Sequence, residues 1–337
     1  MTDAINKYIV IFPKDVLMIV SLALIVAGFV LLMGGAEYAV RGAVAIANKL
    51  HIPTMIIGLT IVAFGTSAPE FVVSISAALN GSAGISIGNI VGSNIANLML
   101  ILGAAALIYP VSCQLKIFLR DYAFLLLVTV LFIAFALGGT FVRWQGVIML
   151  ALLAAFIVYN YRNSKHDQAD ENASSPLTGS SWFIVLLVTA AGMAAIIYGA
   201  DLLVGGAVRL ARLLGVSEEI IGLTVIAFGT SLPELATTGM AAFRRQNDVA
   251  LGNIVGSNIW NIVFIMGATA SITDVPVAPQ ILRYDVWVML GATLLLLPMM
   301  CTRGRLSRPE GLFYLLGYCA YIASLVMISH GYFSFLN

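Results

Sequence analysis

The sequence predicts an all-α membrane protein whose ten transmembrane helices form two inverted five-helix repeats. Three observations support this fold class: an apolar composition, ten long apolar segments, and a segment of 48 residues that occurs twice. The chain has 337 residues, of which 61% are hydrophobic and only 10% are charged. A soluble domain has about 45–50% apolar and about 25% charged residues. A chain this apolar cannot cover its surface with polar groups, so we expect it to lie in a lipid bilayer.

Ten apolar segments are long enough to be membrane spans, since a helix needs roughly 20 residues to cross the hydrocarbon core. We place them near residues 15–49, 53–79, 85–109, 119–138, 144–161, 182–214, 218–242, 248–271, 283–301 and 310–331. The first and sixth exceed the length of a perpendicular crossing, so we expect those helices to tilt, bend or extend into the interface. The first run is also longer than a signal-peptide core, and we expect it to be retained as a helix.

A long internal repeat links the two halves of the chain. Residues 56–103 and 220–267 align without a gap at an offset of 164 and are identical at 25 of 48 positions. The word GNIVGSNI occurs verbatim in both copies. Shared composition alone does not produce such identity, so the chain contains two copies of one unit.

A hydrophilic stretch between the copies predicts the domain organisation. We expect a first five-helix repeat over residues 1–161, a cytoplasmic linker over 162–181 and a second five-helix repeat over 182–337. Because five is an odd number, the second copy enters the membrane from the opposite side, and the repeats are inverted. Inverted repeats place a substrate site near the bilayer midplane, where the halves meet.

The distribution of positive charge predicts the orientation. With both termini outside, eleven of the 17 Lys and Arg residues fall on the cytoplasmic side and six fall outside, as the positive-inside rule requires. We therefore expect a multi-pass protein of the plasma (inner) membrane with the linker in the cytoplasm. The formal net charge of +1 leaves no broad basic face for nucleic acid.

Two carboxylates are isolated in the most apolar parts of the chain. Glu70 is the only charged residue between Lys49 and Lys116, and Glu234 takes the equivalent position in the second copy. A charged side chain at the bilayer centre costs at least ~2.5–3.5 kcal/mol on insertion scales. One such residue is compatible with a protonated, structural hydrogen-bonding role. Two in identical surroundings favour a pair of carboxylates whose partner is a transported cation.

Hydroxyl groups accompany each carboxylate. Thr66, Ser67 and Glu70 stand at i, i+1 and i+4, a spacing that places them on one face of a helix. Thr230 and Ser231 precede Glu234 in the same way. The pattern predicts hydroxyl and carboxylate oxygens directed at one point.

A proline directly precedes each carboxylate. Pro69 and Pro233 lack a backbone N–H, and their rings clash with the carbonyls of Gly65 and Gly229. We expect each helix to bend here and to free a carbonyl or two beside the carboxylate. A simple proline kink, without a binding role, is the alternative. Broken helices are tolerated in membranes where they line a cavity.

A second polar cluster follows in each copy, with members four residues apart on one helix face. It consists of Asn89, Ser93 and Asn97 in the first copy and Asn253, Ser257 and Asn261 in the second. Polar contacts between packed helices are the alternative interpretation, above all for the first Asn of each set. The glycine pairs at the same spacing, such as Gly88 and Gly92, favour close helix packing here.

The combined donors are hard oxygen ligands. Carboxylates, hydroxyls, amides and carbonyls suit Ca²⁺, which accepts six to eight oxygens, better than Mg²⁺, which dehydrates reluctantly. The repeats offer no soft or nitrogen ligands for copper, zinc or iron, and Cys113, Cys301 and Cys319 have no metal-like spacing. The sequence contains no Ser/His/Asp, Cys/His or phosphate-loop arrangement, so we do not expect an enzyme.

The words AFGTSAPE/AFGTSLPE and GNIVGSNIAN/GNIVGSNIWN resemble the two alpha repeats of the calcium/cation antiporter superfamily. Within it, the chain is similar to the prokaryotic sodium/calcium exchangers. The resemblance implies that Glu70 and Glu234 coordinate Ca²⁺ together with the backbone oxygens of Thr66 and Thr230. It implies that sodium sites are lined by the hydroxyls of Ser67, Ser231, Ser93 and Ser257 and the carbonyls of Ala63 and Ala227. It places Asn97 and Asn261 at the centre.

The resemblance implies a secondary active antiporter that exchanges Na⁺ for Ca²⁺ by alternating access, with the first and sixth helices as a sliding gate. Proton or potassium coupling is the first alternative, and a cation channel or a receptor with a structural ion is the second. Some relatives, including the potassium-dependent exchangers, carry Asp where this chain has Asn97 or Asn261, which disfavours potassium dependence. Glu37 and Asp201, on the presumed gating helices, either assist ion access or cap a helix end. We expect no organic cofactor and no obligate protein partner besides the lipid bilayer and the transported cations.

Overall fold

The structure, a computed structural model, describes residues 14–81, 83–164, 175–214 and 227–329. Almost all of them are helical, as the sequence predicts, and the exceptions include four strands of two residues each. The strands are β1 (Val111–Ser112), β2 (Thr140–Phe141), β3 (Val275–Pro276) and β4 (Arg305–Leu306). The sequence analysis did not predict these strands, because two residues are too few to show an alternating pattern.

Six helices make up the described part of the first half. They are α1 (Lys14–Leu50), α2 (Thr54–Thr66, with a π-helical turn at Gly58–Val62), α3 (Ala68–Leu79), α4 (Ala83–Ile95, continued by π-helical Ala96–Ile101 and by Leu102–Ile108), α5 (Leu115–Ala136) and α6 (Arg143–Ser164).

The second half repeats this order. Its helices are α7 (Trp182–Leu213), α8 (Ala227–Gly229), α9 (Leu232–Phe243), α10 (Asn247–Ile259, continued by π-helical Trp260–Ile265 and by Met266–Ile272), α11 (π-helical Ile281–Asp285 and Val286–Arg303) and α12 (Arg308–Ser329).

The described residues contain eight helices that are long and apolar enough to cross a membrane, or nine if the bent pair α2 and α3 is one span. The predicted class of all-α membrane protein is confirmed. The predicted seventh span, 218–242, lies partly outside the described residues, so the count of ten stays a prediction. Residues 165–174 of the predicted linker also lie outside them.

The strand pairs show that the halves are inverted. β1 pairs with β4 and β2 pairs with β3, both antiparallel. The membrane-length helix α5 separates β1 from β2, so the two sheets lie at opposite ends of the bundle. β1 and β3 stand 164 residues apart, at equivalent places in the repeat. Equivalent segments therefore lie at opposite ends, as the odd number of predicted spans requires.

The core lies around α4 and α10, which are buried over most of their length, whereas the most apolar stretches of α1 and α12 are only 17% and 22% buried. The exposed side chains of the outer helices are apolar, for example Ile19, Val26 and Phe183. In a bilayer such side chains face lipid, so these exposed apolar side chains mark the surface of the protein that contacts lipid.

The long helices α1 and α7 are packed together through repeated glycines. Gly28, Gly35 and Gly42 on α1 stand seven residues apart, and so do Gly192, Gly199 and Gly206 on α7. A Cβ atom added at Gly35 would lie 2.7 Å from the carbonyl oxygen of Gly192, and one at Gly199 would lie 2.6 Å from the amide nitrogen of Leu32. The backbones touch directly, as small residues allow in membrane helices.

Adjacent glycines of α1 supply a test of this packing. Gly35→Ala forces the two backbones apart and is expected to destabilise the protein by about 1–3 kcal/mol, the usual cost of overpacking. Gly34→Ala adds the same methyl group at the preceding position, where no described atom lies within 4 Å of the new Cβ. This variant is expected to leave the stability unchanged. Thermal unfolding in detergent, followed by tryptophan fluorescence, measures both. Equal melting temperatures for the two variants would contradict the close approach.

Candidate functional site

The helix that carries Glu70 is broken beside it. α2 and α3 meet at an angle of 47°, and Ser67 at the break has φ −81° and ψ 5°. Pro69 lies in the first turn of α3, where a missing N–H costs no helical hydrogen bond. The predicted bend is confirmed.

The second copy breaks in the same place. α8 ends at Gly229, α9 begins at Leu232, and Ser231 between them has φ −89° and ψ 4°. Each carboxylate thus lies in the first turn of a helix of 12 residues. The positive end of the helix dipole at that turn stabilises a negative charge.

The two breaks differ in their backbone hydrogen bonds. The carbonyl of Ala63 accepts the N–H of Ser67 at 3.0 Å and the hydroxyl of Thr66 at 3.3 Å. In the second copy the N–H of Ser231 bonds to the carbonyl of Phe228 instead, at 3.2 Å. The carbonyl of Ala63 is therefore already hydrogen-bonded, and the roles predicted for the carbonyls of Ala63 and Ala227 stay predictions.

The two carboxylates share one buried site. Glu70 and Glu234 are each 1% exposed, and they are close enough to repel each other electrostatically. The hydroxyl of Ser67 in the first copy donates a hydrogen bond of 3.1 Å to Oε1 of Glu234 in the second. Both oxygens of Glu70 and Oε2 of Glu234 are buried and have no hydrogen-bond partner among the described residues.

Some of the other predicted oxygens lie next to this pair of carboxylates. Thr66 is fully buried, and its hydroxyl donates to Oδ1 of Asn253 at 3.3 Å and lies 3.5 Å from the hydroxyl of Ser257. Thr66 and Ser257 lie beside Glu234, and the partly exposed Thr230 lies beside Glu70. Ser93 on α4 and Ser231 at the second break are buried, and their sodium-binding role stays a prediction.

In Asn97 and Asn261 the side-chain nitrogen is hydrogen-bonded, whereas the side-chain oxygen is not. The Nδ2 of Asn97 donates to Oδ1 of Asn258 at 3.1 Å, and the Nδ2 of Asn261 donates to Oδ1 of Asn94 at 3.2 Å. The Oδ1 atoms of Asn97 and Asn261 are buried without a hydrogen-bond partner among the described residues. The sequence analysis missed Asn94 and Asn258, although both stand in the verbatim word GNIVGSNI.

The first Asn of each cluster joins helices. The Nδ2 of Asn89 donates to the carbonyl of Glu70 at 3.2 Å and to the hydroxyl of Ser74 at 2.9 Å. The Nδ2 of Asn253 donates to the hydroxyl of Thr238 at 2.9 Å. These bonds tie α4 to α3 and α10 to α9, which is the structural alternative that the sequence analysis left open.

The two sides of the site are covered differently. A cavity of about 660 Å³ is lined by residues of α3 and α7 and by the second break, including Pro69, Asp201, Val204 and Thr230. Asp201 is exposed and Val204 and Thr230 are partly exposed. The cavity therefore reaches the second break from the side of Asp201.

Three equivalent positions on the opposite side are covered. Ala36, Val40 and Leu232 are buried, although they correspond by the offset of 164 to cavity-lining residues. A second, apolar cavity of about 430 Å³ is lined by Met33 and Leu232, but Ala36 and Val40 do not line it. Beyond them Glu37 forms ion pairs with Arg41 of the same helix and with Nη2 of Arg244 at 2.6 Å. Glu37 thus links α1 to the end of α9, a role that neither sequence-based alternative included.

Comparison with known proteins identifies the family of the chain. The family model described as sodium/calcium exchanger protein matches residues 20–162 and 184–327. The putative antiporter CaxA of Alkalimonas amylolytica is 38% identical over 313 residues, which cover 90% of this chain and 98% of that protein. The sodium/calcium exchanger MaX1 of Methanosarcina acetivorans is 33% identical, over 92% of this chain and 99% of that one.

A solved structure has the same fold. The sodium-calcium exchanger NCX_Mj, soaked with 10 mM Na⁺ and 10 mM Sr²⁺, superposes with a TM-score of 0.81 and 30% sequence identity, covering 91% of this chain and 99% of that one. Together with the family match over both halves, this likeness shows that the chain is a multi-pass membrane protein that belongs to the sodium/calcium exchanger family.

Proposed function

We propose that the protein is a secondary active antiporter that exchanges Na⁺ for Ca²⁺ at the site of Glu70 and Glu234. The observation that carries the proposal is a set of five buried oxygens without a hydrogen-bond partner among the described residues. They are Oε1 and Oε2 of Glu70, Oε2 of Glu234, and the Oδ1 atoms of Asn97 and Asn261. Buried acceptors without partners are costly, and a hard cation is the partner that such oxygens prefer.

Exchange results because Ca²⁺ and Na⁺ compete for one site. The charge of two carboxylates matches one Ca²⁺ or two Na⁺, so either load neutralises Glu70 and Glu234. A loaded site can then be covered by an apolar gate, whereas an empty site keeps its charge and resists burial. Transport of one ion therefore requires return of the other.

The glycine-packed helices α1 and α7 are the moving elements in this proposal. Their backbones touch at repeated glycines, and the small residues there would let one helix slide along the other. Sliding would close the cavity at Asp201 and open the equivalent path at Glu37. We propose that the Glu37 side, which carries Arg244 and the start of the linker, faces the cytoplasm of an inner membrane.

Neutral side chains at two central positions favour sodium over potassium as the coupling ion. Asn97 and Asn261 add amide oxygens and no third carboxylate, so the two carboxylates leave no additional negative charge for a K⁺ bound beside Ca²⁺. The family's printed description names sodium and calcium. Coupling to potassium or protons, and a channel open to both sides, are outcomes that flux measurements distinguish.

The carboxylates supply the first test of function. Glu70→Gln and Glu234→Gln each remove one charge with little change in volume, and each is expected to abolish Ca²⁺ uptake driven by a Na⁺ gradient in proteoliposomes. Asp274→Asn removes an exposed carboxylate outside the site and serves as the matched control with unchanged uptake. Wild-type flux through the Glu70→Gln variant would refute the assignment. Ca²⁺ leak without a Na⁺ gradient would indicate a channel.

Cysteine labelling tests the unequal cover of the site. In a background without Cys113, Cys301 and Cys319, the equivalent variants Val204→Cys and Val40→Cys are exposed to a polar thiol reagent in detergent. The first, in the cavity, is expected to react at least tenfold faster than the second. Adding Arg244→Gln, which breaks the ion pair with Glu37, is expected to raise the rate at position 40. Equal rates at both positions before that change would contradict the closed side.

A further inference from the structure

Two crossed amide hydrogen bonds join α4 to α10 at the asparagines predicted for the centre of the site. Asn97 of α4 donates through Nδ2 to Asn258 of α10, and Asn261 of α10 donates through Nδ2 to Asn94 of α4, at 3.1 and 3.2 Å. The four residues form two pairs related by the repeat offset of 164. All four are about 1% exposed, so water does not compete for these bonds.

These bonds couple the orientation of each of these amides to that of its partner. A side-chain amide offers an oxygen acceptor at one end and an NH₂ donor at the other. Because the Oδ1 atoms of Asn94 and Asn258 are acceptors, they bind the NH₂ groups of Asn97 and Asn261. The Oδ1 atoms of Asn97 and Asn261 are left buried and without a partner among the described residues. A cation needs this orientation, since an NH₂ group in its place cannot coordinate it.

The local helix geometry supports the arrangement. π-helical turns span Ala96–Ile101 and Trp260–Ile265, so each contains one central Asn. Such turns widen a helix by one residue and are frequent at functional sites. The residues Asn94 and Asn258 lie just before them, on regular α-helix, and supply acceptors to less regular segments.

The two acceptors are not held equally. The Nδ2 of Asn94 lies 3.7 Å from the sulfur of Met289, a weak acceptor. The repeat-equivalent of Met289 is Leu125, which offers no acceptor, and the Nδ2 of Asn258 is buried without a partner among the described residues. The orientation of Asn258 therefore depends mainly on its bond with Asn97.

We propose that Asn94 and Asn258 are positioning residues, which hold Asn261 and Asn97 with their oxygens toward the transported cation. The inference rests on the proposed function, because it takes the unpartnered amide oxygens as ion ligands. Neither Asn94 nor Asn258 coordinates the ion itself in this proposal. Each accepts a hydrogen bond from a residue in the opposite half of the chain, so the four amides also join the two repeats.

A double-mutant cycle tests the proposal. Asn258→Leu removes the acceptor with little change in volume and is expected to raise the half-saturating Ca²⁺ concentration of exchange about tenfold, the lower end of the range for groups that orient metal ligands. Asn97→Ala removes the oriented ligand. In the Asn97→Ala background, Asn258→Leu is expected to cause no further loss of affinity. Independent, multiplying losses in the double variant would overturn the proposal, as would wild-type affinity in Asn258→Leu.

A conservative variant separates positioning from packing. Asn258→Gln keeps a neutral amide acceptor for Asn97, so it is expected to retain more Ca²⁺ affinity than Asn258→Leu. Loss of affinity in Asn258→Gln equal to that in Asn258→Leu would overturn the proposal. Asn160→Leu is the matched control, since this buried amide bonds to the backbone of its own helix at 3.3 Å. It is expected to change stability only.

The outcomes distinguish this inference from the proposed function. If Glu70→Gln retains exchange, the proposed function fails, whatever the cycle shows. If Glu70→Gln abolishes exchange and the cycle is additive, the positioning role alone fails. Should Asn258→Leu not fold, Asn258→Ala enters the same cycle with the same expectation, and its additivity decides the matter.

Discussion

The burial of two carboxylates that form no ion pair with the described residues is the constraint on which the rest of the structure depends. Glu70 and Glu234 lie in the most apolar part of the chain, and three of their four oxygens lack a hydrogen-bond partner among the described residues. Each charge costs at least ~2.5–3.5 kcal/mol at the bilayer centre on insertion scales. The helix breaks lower this cost by giving each carboxylate the first turn of a helix. In the proposed function, a bound cation would offset the remainder, which would link ion occupancy to the burial of the site.

The second organising feature is that neither half of the chain completes the site alone. Ser67 donates a hydrogen bond to Glu234, and Thr66 donates one to Asn253, so hydroxyls of the first copy bind acceptors of the second. The crossed bonds of the central asparagines follow the same rule. An inverted repeat allows such exchange, because the two breaks come together at one site, where Ser67 of the first bonds to Glu234 of the second. The asymmetry lies further out, where a cavity opens at Asp201 and an ion-paired cluster forms around Glu37.

Much of this arrangement could be predicted from the sequence, because charges and prolines stand out in the apolar segments of a membrane protein. Glu70 and Glu234 were visible as isolated charges, and Pro69 predicted the break at Ser67 correctly. The repeat predicted the inversion that the strand pairs show. Individual contacts were not accessible, since they depend on which helix faces which. The word GNIVGSNI contains Asn94 and Asn258, but its pattern gives no sign that they bind Asn261 and Asn97. The glycines of α1 and α7 were equally visible, yet only the packed helices show that their backbones touch.

The central claim is that the unpartnered oxygens hold a cation, and the most direct measurement is its position. Crystals of the protein soaked with Sr²⁺, a heavier stand-in for Ca²⁺, are expected to show an anomalous density peak between Glu70 and Glu234. Ligand distances should be close to the roughly 2.3–2.6 Å of calcium–oxygen coordination, and excess Na⁺ should remove the peak. Density only at other places, or a peak that Na⁺ does not displace, would contradict a shared, exchangeable site.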